Sequence, residues 1–281
     1  MKSLYGLCAV PMLLISVQLH AQGDLLITPK RVVFENNKQK EEINLVNIGK
    51  DTATYSISFV QYKMKEDGSF VLIEKADSGQ LFADPYLRIF PRKVTLAPRE
   101  PQVISLQCRR SADMAAGEYR SHLYFRSEKN SKPLGLENTV ADSSKLKIQL
   151  IPVFGLSIPV IIRSGQVNVT SGLTGLKLET SPDLTQTLNL TITRTGSSSI
   201  YGDIVVQFFP TQGKPVDIGR LNNVGVYTNI NKRHISIKLK NSIALNLTTG
   251  KLKVQYLTKN EKNTVIYAEE ELEINLIKPS S

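Results

Sequence analysis

The stretch Lys145-Leu146-Lys147-Ile148-Gln149-Leu150-Ile151-Pro152-Val153-Phe154-Gly155-Leu156-Ser157-Ile158-Pro159-Val160-Ile161-Ile162 decides the reading of the whole chain. Its opening alternates strictly, with Leu146, Ile148 and Leu150 on one face of an extended strand and Lys145, Lys147 and Gln149 on the other. The apolar run then continues well past the about five or six residues of an average strand. Pro152 and Pro159 cannot donate to a β-ladder, which puts them at a sheet edge or a bend. A long apolar edge invites aggregation. Two readings follow. Leu146, Ile148 and Leu150 pack into their own domain, which the pattern alone favours, or the edge is there for another chain to pair with, main chain to main chain.

Period-two alternation extends in both directions from this run. On its N-terminal side it predicts strands over 31–34, 40–47, 53–62, 94–96, 102–108 and 119–125, with 145–162 as the last. Asn36-Asn37, Gly49-Lys50-Asp51, Asp67-Gly68, Ala97-Pro98 and Ala116-Gly117 punctuate them, and Asp84-Pro85-Tyr86-Leu87 reads as a short helical turn. Beyond Arg163-Ser164-Gly165 a second series covers 175–179, 187–193, 203–210, 224–227, 234–239, 251–257 and 264–277. Two sets of about seven short strands, and no long amphipathic helix, imply an all-β chain of two immunoglobulin-like β-sandwich domains in tandem. The expected division is 22–163 and 164–281.

Residues 1–21 read as an export signal: Lys2 supplies the charge, residues 4–19 the apolar run, and Leu19-His20-Ala21 the cleavage site after Ala21. No later segment is apolar for long enough to span a bilayer, so no stable membrane insertion is expected. Once the signal leaves, Cys108 is the remaining cysteine. It shares a strand face with Ile104 and Leu106 and reads as a buried small hydrophobe. The formal charge of +10 is spread along the chain rather than gathered in a block, which points to solubility and not to nucleic acid.

Catalytic and metal chemistry has no visible basis. His122 and His234 are far apart, and no metal-ligand spacing, phosphate loop or nucleophile elbow occurs. Adjacent acids such as Glu41-Glu42 sit on strands, where neighbours point to opposite faces. The expectation is a non-enzyme with neither cofactor nor metal.

Several blocks then carry a resemblance. Ile27-Thr28-Pro29-Lys30-Arg31-Val32-Val33-Phe34 precedes an alternating strand. Phe90-Pro91-Arg92-Lys93-Val94-Thr95-Leu96-Ala97-Pro98 leads into Gln102-Val103-Ile104-Ser105-Leu106. Gly117-Glu118-Tyr119-Arg120-Ser121-His122-Leu123 and Gly155-Leu156-Ser157-Ile158-Pro159-Val160 follow. In this order they are similar to blocks of the PapD-like periplasmic chaperones of pilus and fimbria assembly, in their archaic or alternate branch, over nearly the whole chain after the signal. The resemblance implies two sandwiches around a cleft, a periplasmic location, fibre subunits as partners with an outer-membrane usher, and room for a self-dimer through the same edge. It implies that Leu146, Ile148 and Leu150 are donor residues lent to a subunit lacking its final strand. Arg31 matches the family's first basic anchor for the subunit's terminal carboxylate. The family's anchoring lysine falls on Gly155 and its next arginine on Pro159, leaving Arg163 as the nearest substitute, and the cysteine pair of the long-loop subgroup is absent. A structural or adhesive envelope protein built from the same two sandwiches is the alternative.

Overall fold

The structure is a computed structural model, and it describes residues 25–36, 38–128, 153–240, 249–259 and 263–275. Seventeen strands are defined among these residues, together with a single turn of 3-10 helix at Asp84–Tyr86, where Pro85 supplies a ready-made φ in the first turn. No described helix is long and apolar enough to cross a membrane. Leu146, Ile148, Leu150 and residues 1–21 lie outside the described residues.

The first sandwich uses ten strands: β1 (Leu25–Thr28), β2 (Val32–Phe34), β3 (Lys40–Asn47), β4 (Ala53–Met64), β5 (Phe70–Ile73), β6 (Leu87–Phe90), β7 (Lys93–Leu96), β8 (Pro101–Cys108), β9 (Gly117–Ser127) and β10 (Gly155–Ser164). One sheet runs β1-β3-β8-β6 and the other β2-β10-β9-β4-β5, with β7 also paired to β4. The alternation read from the sequence becomes two facing apolar layers. Ile43, Leu45, Ile104 and Leu106 face Phe34, Leu123, Phe125, Val160 and Ile162 in one buried cluster. Cys108 belongs to that cluster, and burial raises its thiol pKa.

The second sandwich uses β11 (Val169–Thr180), β12 (Gln186–Gly196), β13 (Ile200–Pro210), β14 (Val216–Val226), β15 (Lys232–Lys238), β16 (Thr249–Lys259) and β17 (Thr264–Asn275). Its sheets run β11-β12-β15 and β14-β13-β16-β17. A separate cluster fills it, centred on Leu188, Ile192, Ile204, Phe208, Val254 and Tyr256. Two face-to-face pairs of sheets, antiparallel but for the β2–β10 pairing and each with its own core, make this an all-β fold of two immunoglobulin-like sandwiches.

Three strands escaped the sequence reading: β1, β5 and β6, each of four paired positions, are too short for alternation to declare itself. The long final strand was expected from 145. Among the described residues it begins at Gly155.

Candidate functional site

Strand β9 creates the site because its two faces meet different things. Tyr119, Ser121, Leu123 and Phe125 point inward, where the Ser121 hydroxyl accepts hydrogen bonds from the backbone N–H groups of Ala83 (2.9 Å) and Asp84 (3.0 Å). Glu118, Arg120 and His122, two residues apart, take the opposite face. That face would normally meet water. Here the second sandwich covers it, and a strand bearing three ionisable groups becomes the seam between the halves.

Glu118 is 3% exposed and is saturated with donors. It accepts from the Ser199 backbone N–H (2.9 Å), the Ser199 hydroxyl (2.8 Å), the Arg120 guanidinium (2.6 Å) and Arg163 Nε (3.3 Å). Burial by itself would raise the pKa of this carboxyl. The Arg120 charge and the Ser199 hydrogen bonds outweigh it and hold the group at about 2. Arg120 spans the seam, donating to the Ser199 hydroxyl (2.6 Å) with its guanidinium 3.7 Å above the Tyr227 ring.

Two further contacts tie the halves together. The β4–β5 hairpin reaches across, so that Met64 and Asn229 exchange hydrogen bonds and the Glu66 carbonyl accepts the His234 N–H at 2.7 Å. Buried Arg194 supports the second sandwich's side of the seam. Its guanidinium donates to the carbonyls of Gly196, Ser198, Thr228 and Ile230, binding the two loops that carry Ser199 and Asn229.

A cleft of about 470 Å³ opens beside this seam, with Arg31, Val33 and Arg163 on one wall and Ser199, Tyr201 and Tyr267 on the other. Both anchor candidates are therefore brought to one place, but in different electrostatic states. Arg163 is spoken for, paired with both Glu118 and Glu35. Arg31 lies 4.5 Å over the Tyr201 ring and, among the described residues, has no carboxylate partner. Burial first, and then the nearby Arg120 charge, push its pKa down. Arg120 and Pro159 line a smaller pocket with Arg31. Arg31 thus has two basic neighbours, Arg163 from β10 and Arg120 from β9, and the sequence reading named only the first. The clue was the acid-arginine-histidine alternation within Gly117-Glu118-Tyr119-Arg120-Ser121-His122, on a strand otherwise expected to have an ordinary solvent face.

Strand β10 leads away from the cleft. β9 covers one side along its full length, whereas β2 covers the other only at Val160–Ile162. Among the described residues the Gly155–Pro159 segment therefore has an unpaired edge; it carries Leu156 (38% exposed) and is preceded by Val153 (52%) and Phe154 (51%). Gly155 is seated against the Tyr124 ring, so a side chain at that position requires the ring to turn aside. Among the described residues no cluster of metal-ligating side chains occurs.

No family model and no curated protein matches the sequence. Solved structures similar to the chain include the YadV chaperone (12% identity, TM-score 0.43, covering 90% of this chain and 100% of that one). The CupB2 chaperone of Pseudomonas aeruginosa (10%, TM-score 0.42, covering 89% and 100%) is another. So is the CsuC–CsuE chaperone–tip adhesion subunit pre-assembly complex of Acinetobacter baumannii (14%, TM-score 0.41, covering 90% and 99%).

Proposed function

We propose that this chain is an exported, periplasmic, non-catalytic chaperone that binds and caps subunits of a surface fibre, pilus or fimbria, and hands them to an outer-membrane usher. The observation that carries the reading is Arg31: a largely buried guanidinium without a carboxylate partner among the described residues, facing an open cleft. A buried charge without its counter-charge is costly, so the site favours an incoming anion that can accept paired N–H bonds. The terminal carboxylate of a subunit fits that chemistry. The unpaired edge of β10 starts close by, at Pro159, and gives the rest of the same chain a ladder to extend. In this reading Leu146, Ile148 and Leu150 continue the edge as donor residues, and the functional division of the chain is 22–163 and 164–281.

The test is co-purification from the periplasm of a cell producing the fibre. Arg31→Ala removes a charge-assisted contact worth about 1.5–3 kcal/mol, so subunit capture should weaken roughly 10- to 150-fold while the fold is retained. Ile148→Asp should abolish capture by placing a charge where an apolar side chain is to be buried. Full subunit recovery with both variants would reject the reading and leave a structural or adhesive envelope protein in its place.

A further inference from the structure

His122 sits at the centre of the seam and has no part in the proposed binding site. It is 4% exposed. Nε2 lies 3.2 Å from the Tyr227 hydroxyl, while Nδ1 is buried with no hydrogen-bond partner. From β4 the ring of Tyr62 meets it edge-on at 4.9 Å, and from β5 Phe70 lies at 6.1 Å. Val60 and Pro159 are its register neighbours on β4 and β10. The charged group that acts on it is Arg120, a cation on its own strand, and the other titratable groups against the ring are the phenols of Tyr62 and Tyr227. A proton added at His122 would therefore bring a second positive charge beside Arg120, with no carboxylate facing the ring and no acceptor for an N–H at Nδ1 among the described residues.

That charge has one direction of relief. The ring is on the outward face of β9, against the second sandwich, whereas Tyr119, Leu123 and Phe125 hold the core from the opposite face. Water can reach His122 if the sandwiches part, without either core being disturbed. The covering surface is held by polar contacts that water can replace, through Ser199, Tyr227, Asn229 and His234, and by the Tyr227 ring against Phe70.

We propose that the seam is an acid-released clasp: a proton taken up at His122 swings the two sandwiches apart while each stays folded, and so dismantles the cleft between Arg31 and Tyr201. Burial, and then the Arg120 charge, hold the His122 pKa at about 3 in the closed form, against 6.5 for a histidine in water. Over that interval the ratio of open to closed molecules should rise on the order of a thousandfold. Below 4.5 the protonation of Glu118 acts in the same sense.

Small-angle X-ray scattering and far-UV circular dichroism of the mature protein, followed together from pH 7 to pH 3, provide the test. The wild type should expand within this range with its strand signal unchanged. His122→Phe keeps a ring that cannot titrate and should stay compact to lower pH, as should His122→Gln if the phenylalanine variant does not fold. Ring NMR of the wild type supplies a variant-free arm: His122 should remain neutral in the compact form at pH 5. No expansion by pH 3, equal expansion of the variants, strand loss coincident with expansion, or ordinary titration of His122 in the compact form would each overturn the proposal.

Discussion

Replacing Glu118 by glutamine tests the electrostatics of the seam directly. The substitution keeps shape and one acceptor but removes the charge that answers Arg120 and Arg163. Lowering the carboxyl pKa from 4.5 to about 2 means that the folded protein prefers the ionised form by about 2.5 pK steps. At about 1.36 kcal/mol per step this is roughly 3.4 kcal/mol. It also lies within the about 3–5 kcal/mol expected for breaking a buried ion pair by removing one partner. Glu118→Gln should therefore lose about 3 kcal/mol at pH 7, measured by urea unfolding followed through tyrosine fluorescence, since the chain has no tryptophan. Because the folded pKa is depressed, the contribution is complete above pH 4.5 and is lost as pH falls towards 2. The gap between wild type and variant should close over that window. A loss below 1 kcal/mol at pH 7, or a gap that does not change with pH, would refute the reasoning.

Further outcomes follow from single features. Arg194→Ala should destabilise the second sandwich by about 3 kcal/mol or more, because four loop carbonyls lose their shared donor; thermal unfolding would show it. Gly202→Ala should be among the most damaging exchanges in β13, since a Cβ there would run into the Leu257 carbonyl across the ladder, and an unchanged midpoint would contradict that packing. Phe34→Ala, at a fully buried position, should cost about 3–5 kcal/mol in urea unfolding. Intact mass of the exported protein should place its first residue at Gln22.

The fold was legible because the strands that alternate for six or more residues are also those that fill the cores. Lys40–Asn47 came out with the expected bounds, and the predicted 102–108 strand begins one residue earlier, at Pro101. The site was legible only in part. Arg31 and Arg163 could be picked out on the resemblance, but which of them is free depends on Glu35 and Glu118, residues 128 and 45 positions from Arg163 in the chain. Arg120 was missed because alternation says only that a side chain points away from the core. It does not say that another sandwich waits on that side. Tyr201 and Tyr227, whose rings receive the two arginines, were indistinguishable in sequence from other strand tyrosines.

The seam joins its halves through an acid, two arginines, a serine and an asparagine around a small set of rings, where many tandem proteins use a greasy stripe. A chain cut within residues 165–168 should therefore bare a surface rich in groups that water can satisfy, with the Phe70 and Tyr227 rings as its apolar part. Partnerships of this kind are also easy to rewire, because a new pairing needs only a few matched polar groups and no resculpted apolar surface.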